Sequence, residues 1–332
     1  MNSTALESAT AVLLKNLDTE IDAIAQTDSG RPTDSRRWFH GRGQLVPELA
    51  FMCIDFFDPV IHITLFDEPP GTREGSLSSA WLNEFVSALI AGIEGRAANA
   101  GIVAINVQQR HLPGAPSYLA WGALPDSLYA RRDGQRFVLK LDGRQNSGFF
   151  LDMEPGRQWL ESVAAGRTVL NLFSYTCAFS LVAIKAGAER VVNVDMASGA
   201  LNQGRDNHRL NELPKEKSVF MCENILKSWS RIRRRGPYDV VILDPPSFQK
   251  GSFVANKDYA RIVRRLPELM PAGGKVLACL NAPQLGEDFL KDLFDQELPG
   301  NQFLERLIPS PDFPDKDSAR QLKLLVFEFN RP

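Results

Sequence analysis

The 332-residue chain lacks an excess of charge of either sign, with 38 Lys and Arg against 40 Asp and Glu and a formal net charge of −2. No global field draws in a polyanion, so any nucleic-acid site has to be a local patch. Cysteine is scarce: Cys53, Cys177, Cys222 and Cys279 have no paired spacing, which excludes both a zinc cluster and a disulfide framework. His40, His62, His111 and His208 show no metal-ligand spacing either, so no metal is expected. No apolar run approaches a membrane span, and the start, Met1, Asn2, Ser3, Thr4, lacks a basic segment followed by an apolar one. A reducing cytoplasm is the expected location, which leaves the Asn2 sequon without consequence. The dinucleotide fingerprint G-x-G-x-x-G is also missing, which argues against a nicotinamide dehydrogenase.

What is present is enough apolar material, 44% of residues, for a large core, and a length that favours two domains. The first, over 1–125, reads as α+β. Val12, Leu13, Leu17, Ile21 and Ile24 fall at helical spacing within 5–25, and a polar stretch follows to Asp34. Strand-like runs at 51–55 and 60–66 are parted by Asp58 and Pro59; a helix is predicted over 79–97 and a strand over 102–107.

The second domain, 126–332, opens with a predicted hairpin at 128–141 within a leading segment at about 127–152. Strand and helix then alternate strictly from Thr168 onward, which predicts a doubly wound, mainly parallel sheet. Two closing strands, 303–308 and 322–329, have no helix between them and predict a terminal antiparallel hairpin. Ligands of such sheets bind at the carboxyl ends of the strands.

Three strand ends carry chemistry. The first runs Asn171, Leu172, Phe173, Ser174, Tyr175, Thr176, Cys177 into a helix whose first N–H groups are open to a ligand; Ser174 and Thr176 would equally serve as helix caps. The second ends in Asp195, an acid able to accept bonds from two ribose hydroxyls. After the third come Glu223 and Asn224, candidates for an adenine ring. The run Val240, Val241, Ile242, Leu243 suits a strand covered on both faces and stops in Asp244, Pro245, Pro246, Ser247, Phe248. Proline stiffens that turn and leaves its carbonyls as acceptors. With the Asp244 carboxylate they suit an exocyclic amine or ring N–H, while Phe248 stacks on the ring; a proline-rich turn with a core phenylalanine is the plainer alternative.

The 171–179 turn, the strand end at Asp195, the run Gly204, Arg205, Asp206, Asn207, His208 and the 244–248 turn together resemble a class I S-adenosylmethionine-dependent methyltransferase. Within that superfamily they are similar to the bacterial enzymes acting on cytosine C5 or guanine N7 of large-subunit ribosomal RNA. The stretch Asn146 to Asp152, with Phe150, and Arg157 resembles the signature that precedes the sheet in that group. The resemblance covers about 128–329, and it implies a Rossmann-like, seven-stranded methyltransferase sheet behind an N-terminal α+β accessory domain with a possible RNA-binding role.

It further implies S-adenosyl-L-methionine as cofactor and RNA as partner. The cofactor would meet Phe150, Arg157, Asn171, Phe173, Ser174, Tyr175, Thr176, Asp195, Asn224 and Asp244, and the target base Asp244, Pro245, Pro246 and Phe248. Cys177 stands where relatives often have glycine, and Asn224 where they have an aspartate. Met153 and Glu154 replace a Gln-Arg pair, leaving Arg157 alone to serve.

Transfer to cytosine C5 needs a thiolate that attacks C6, and Cys279 is the candidate. Its context, Ala278, Cys279, Leu280, Asn281, departs from the pattern of the cytosine enzymes, so the motif points more readily to nitrogen. Basic character is local, in Arg231, Arg233, Arg234 and Arg235, in Arg261, Arg264 and Arg265, and in Arg36, Arg37 and Arg42. Two other readings stand beside the RNA one. The same cofactor could serve a protein side-chain amide or a small heterocycle, or the chain could be a non-catalytic RNA-binding protein on this fold. The oligomeric state, monomer or homodimer, is not readable from the sequence.

Overall fold

The computed structural model describes residues 3–26, 33–72, 79–96, 101–142, 145–246, 248–249 and 253–330. The chain gathers into two compact units, Met1–Leu151 with Pro311–Lys316, and Asp152–Ser310 with Asp317–Pro332.

The first unit contains α1 (Ser3–Gln26), β1 (Arg36–His40), β2 (Met52–Phe57), β3 (Val60–Leu65), α2 (Ala80–Glu94), β4 (Ala104–Gln109) and β5 (Ser117–Gly122). The strands form one sheet in sequence order, and only β3 and β4, which α2 connects, run parallel. Ser79 starts α2 by accepting the Leu82 N–H at 3.0 Å. Leu13, Leu17 and Ile21 of α1 and Phe85 and Leu89 of α2 pack on Ile54, Ile63 and Val107 of the sheet. The alternate positions of the same strands are buried as well and include the polar Asp55, His62, Thr64, Asn106 and Gln108. Arg37 grips the Asp55 carboxylate with Nε at 2.7 Å and Nη2 at 3.0 Å, and Asn106 donates to His62 Nδ1 at 3.1 Å. Arg37, one of the arginines that make up the chain's local basic character, is therefore paired inside the fold.

The hairpin of β6 (Tyr129–Arg132) and β7 (Gln135–Val138) was expected to lead the second domain. Its contacts place it in the first unit, so the division falls at 151/152 rather than 125/126.

In the second unit α3 (Glu154–Val163) precedes β8 (Thr168–Leu172), α4 (Ala178–Lys185), β9 (Arg190–Asp195), α5 (Ser198–Leu210), β10 (Ser218–Cys222), α6 (Trp229–Arg233) and β11 (Val240–Leu243). A small hairpin of β12 (Phe248–Gln249) and β13 (Phe253–Val254) follows, then α7 (Ala255–Val263), α8 (Leu266–Leu269), β14 (Gly274–Leu280), α9 (Asp288–Glu297), β15 (Asn301–Arg306) and β16 (Lys323–Phe329). The seven-stranded sheet runs β10-β9-β8-β11-β14-β16-β15. It is parallel as far as β14, and β16 enters antiparallel between β14 and β15.

Both faces of this sheet are covered. Leu170, Val192, Val241 and Val276 pack with Ile262 and Phe294 on one side; Val169, Val191, Ile242 and Leu277 pack with Trp159, Leu160 and Phe179 on the other. Burial on both sides explains why 240–243 is continuously apolar. Between β13 and β14 the chain forms two helices, α7 and α8, rather than one, and Pro267 falls in the first turn of α8. Lacking an N–H, proline opens a helix readily and continues one poorly.

Candidate active site

The strand order reverses between β8 and β11, both of which run parallel with their carboxyl ends on one edge. That crevice is where ligands of doubly wound sheets are held. The turn after β8 is strained there: Phe173, Tyr175 and Cys177 have φ of 57°, 46° and 61°, the left-handed region that favours glycine and costs an L-residue about 1–2 kcal/mol each. Three such residues within five positions persist only where the surroundings dictate them.

Those surroundings are visible. The Tyr175 N–H donates to Asp195 Oδ2 at 2.9 Å and the Ala197 N–H to Oδ1 at 2.8 Å. One carboxylate thus ties the turn after β8 to the start of α5, with a lone pair left on each oxygen. From α5, Asn207 donates Nδ2 to the Thr176 carbonyl at 3.0 Å, and Gly204 lets the helix approach: a Cβ there would stand 2.6 Å from Cys177 Sγ. The left-handed φ of Cys177 accounts for the glycine expected at that place, and the helix has closed up on its thiol instead. No side-chain cap starts α4 at Cys177, and the first peptide N–H groups of a helix have no intrahelical partners.

Within the turn, Phe173 and Tyr175 are half-buried while Ser174 and Thr176 are buried. Asn171 is 1% exposed, and its amide donates to Asn193 Oδ1 at 3.0 Å, with Asn193 in turn donating to Ser180 Oγ at 2.9 Å. It braces β8 against β9. Glu223 accepts from Ser228 Oγ at 3.0 Å and from Arg231, which occupies it. Its neighbour Asn224 is half-buried at the start of a single 3-10 turn. The Glu223 N–H donates to the Asp195 carbonyl at 2.9 Å, so β9 and β10 end together.

At the end of β11, burial and the Asp152 carboxylate push Asp244 up to about 7, against the opposing pull of Arg157. Arg157 is 2% exposed and donates Nε to Glu154 Oε2 at 3.1 Å. Pro245 is buried and Pro246 half-buried. Ser247 and the side chain of Phe248 lie outside the described residues. Phe150 is exposed at the end of the first unit.

Cys279 is 1% exposed in β14. Burial, together with the Asp244 and Asp152 carboxylates, pushes its thiol well above the ordinary range, the opposite of what thiolate attack requires. Tyr259, which the sequence did not single out, is fully buried with its hydroxyl 3.3 Å from the Cys279 carbonyl and 3.5 Å from that of Leu243. A proton on that oxygen has two acceptors, and the phenol joins the ends of β11 and β14 behind Asp244. Nothing local marked it, since an aromatic at a helical core position is usually packing alone.

The donor set fits S-adenosylmethionine: an anchored, half-exposed carboxylate for vicinal hydroxyls and a helix start with no side-chain cap. Among the described residues no group of three His, Cys, Asp or Glu side chains is arranged for a metal ion, and no helix is long and apolar enough to cross a membrane.

Comparison with known proteins extends this likeness over both units. Ribosomal RNA large subunit methyltransferase I of Vibrio vulnificus is 32% identical over 201 residues, 57% of this chain and 50% of that protein. The protein of the same name from Photobacterium profundum is 35% identical over 204 residues, 59% and 51%. The chain spans about half the length of these relatives. A solved structure of a candidate S-adenosylmethionine-dependent methyltransferase from Streptococcus mutans superposes with a TM-score of 0.76 at 22% identity, over 96% of this chain and 81% of that one. A family model for S-adenosylmethionine-dependent methyltransferases matches residues 36–328, and the chain belongs to that family.

Proposed function

We propose that the chain methylates a nitrogen on a base of RNA, with ribosomal RNA as the substrate class, and that it works in the cytoplasm with its first unit as an accessory domain. The observation that carries this reading is Asp244, a carboxyl raised to about 7 at the reversal of the strand order, one strand from the strained turn. Bound against that turn and Asp195, S-adenosylmethionine supplies an electrophilic methyl group. The chain's own residues supply position in a pocket poor in water, which is most of what an in-line displacement needs.

Asp195 would accept the ribose hydroxyls on its two carboxylate oxygens, and Phe173 to Thr176, Asn224 and Arg157 are the residues that would hold the rest of the cofactor. Asp244 accepts an N–H of the target and takes its proton as the new N–C bond forms. The carbonyls of the Pro245 and Pro246 turn add acceptors, and Phe248 offers a stacking face worth about 1–3 kcal/mol. A target base must be single-stranded or flipped from a helix to reach such a turn. Nitrogen is favoured over cytosine C5 because burial, and then the neighbouring carboxylates, resist ionisation of Cys279. The ribosomal class is supported by the names of the relatives at 32% and 35% identity.

The test is nucleoside mass spectrometry of ribosomal RNA from cells with and without the protein. A methylated base lost on deletion and restored by the wild type, but not by Asp244→Ala, is the expected result; identical profiles would remove the ribosomal substrate.

A further inference from the structure

Two cavities of the second unit lie outside the crevice at β8 and β11, and both are walled by arginine. One, about 370 Å³, is lined by Leu226, Trp229, Arg261, Arg264 and Arg265. The other, about 460 Å³, lies at the end of β10 and is lined by Arg231, Arg234 and Arg235 together with Phe220 and Glu223. One stretch of chain, 226–235, contributes to both. In a protein of net charge −2, three guanidiniums in each of two adjoining cavities are a local concentration of the kind a polyanion requires.

The arginines are held but not consumed. Arg261 pairs with Asp258 at 2.8 Å, Arg265 with Glu268 at 2.7 Å and Arg264 with Glu297, and all three are about half exposed. Exposed pairs of this sort contribute little and leave most of each guanidinium's five donors unused, so a phosphate can add to or displace the carboxylate. Trp229 is half-buried, packed against the core beneath the sheet, which fixes the indole among the three charges. A rigid aromatic face flanked by arginines is how single-stranded nucleic acid is gripped without reading its sequence, by stacking a base while the backbone is neutralised. A lone phosphate would need only one such cavity, and an acidic peptide would have no use for the indole.

We propose that this surface, Trp229 with Arg261, Arg264 and Arg265, continuing to Arg231, Arg234 and Arg235, holds the single-stranded RNA that is methylated at the Asp244 turn. The inference rests on the RNA reading of that site. The test titrates the full chain with a fluorescein-labelled single-stranded RNA oligonucleotide by anisotropy, at salt from about 50 to 200 mM, for the wild type, Arg261→Gln/Arg264→Gln/Arg265→Gln, Trp229→Phe and Trp229→Leu. S-adenosylhomocysteine binding, measured by calorimetry on each variant, reports whether the fold is intact.

In the triple variant the slope of log affinity against log salt falls by about 2, at roughly 0.7 per phosphate contact on a single strand. Trp229→Leu weakens binding roughly tenfold while Trp229→Phe keeps most of it, and RNA quenches the tryptophan emission of the wild type more than that of Trp229→Phe. Wild-type binding with unchanged slopes and affinities in the variants overturns this surface and leaves the RNA reading standing. Competition by polyglutamate as strong as by unlabelled RNA overturns the assignment of the surface to RNA. No RNA binding by the wild type overturns the RNA reading itself.

Discussion

Asp244 is asked to do two opposed things, and pH separates them. A carboxyl raised to about 7 keeps its proton in the folded state, whereas in the unfolded chain it ionises near 4. Between those values the folded state binds more protons, so this residue's contribution makes stability fall as pH rises from about 4 to about 7. Asp244→Asn is therefore expected to abolish transfer, at least about 100-fold, yet to raise the unfolding free energy at pH 8 by about 2–4 kcal/mol and to change it little at pH 3. Denaturant melts at the two pH values, beside a methyl-transfer assay, check both halves. Wild-type kcat/KM should rise with pH to a plateau above about 7, since in the role proposed for Asp244 only the ionised carboxylate can take the target's proton. Cys279→Ser separates nitrogen from carbon chemistry: with a nitrogen target, transfer of radiolabelled methyl to RNA stays within a few-fold of wild type, whereas loss of transfer with cofactor binding intact would return the thiol to the mechanism.

Among the elements, α5 carries the closest fit. Gly204→Ala puts a methyl 2.6 Å from Cys177 Sγ and 3.3 Å from the Thr176 carbonyl, so the helix must retreat from the turn it braces. The expected cost is about 1–3 kcal/mol of stability, with weakened S-adenosylhomocysteine binding because the Asn207 bond and the left-handed turn shift together; thermal melts and calorimetry on one preparation measure both. The run containing Gly204 and Asn207 is readable as a motif, but its work is not, because the partner turn lies about thirty positions earlier in the chain. The alternation of strands and helices was plain from 168 onward, since buried parallel strands are continuously apolar and their helices amphipathic. Two missed strands, β1 and β5, are sheet edges with mixed burial along their length, and edge strands carry little of that pattern. Asp195 could be found as an acid at a strand end. The meeting of Asp152 with Asp244 could not, since only tertiary folding brings the stretch before α3 to the end of β11.

Across the whole molecule, acid should be more damaging than a net charge near zero suggests. Burial pulls His40, His62 and His208 down to about 4, so each stays neutral in the folded state while the unfolded chain takes up a proton near 6.5. The unfolded state then binds more protons in the window between, and stability is lost as pH falls from about 6.5 to about 4. His40 and His62 belong to the first unit and His208 to the second, so both units are expected to weaken. Circular dichroism melts across that range test this, and His62→Asn, which removes the titration and keeps a partner for Asn106, should blunt the fall.

The chain's return through the first unit limits how the molecule can be divided. After β15 the segment Pro311–Lys316 joins the first unit, where Asp312 meets Arg36 at 3.0 Å, Phe313 lies under Arg37, and the Lys316 N–H reaches the Gly43 carbonyl at 2.9 Å. Only then does the chain come back to supply β16, the strand that holds β15 on the sheet. Cleavage at 151/152 would therefore leave a nicked molecule whose halves stay interlaced, and expression of 152–332 by itself would strip Phe313 and Asp312 of their seats while demanding that β16 still find its slot. The two units are separate in their cores and joint in their inheritance: an insertion, a swap or a loss in either one is constrained by a thread that belongs to both.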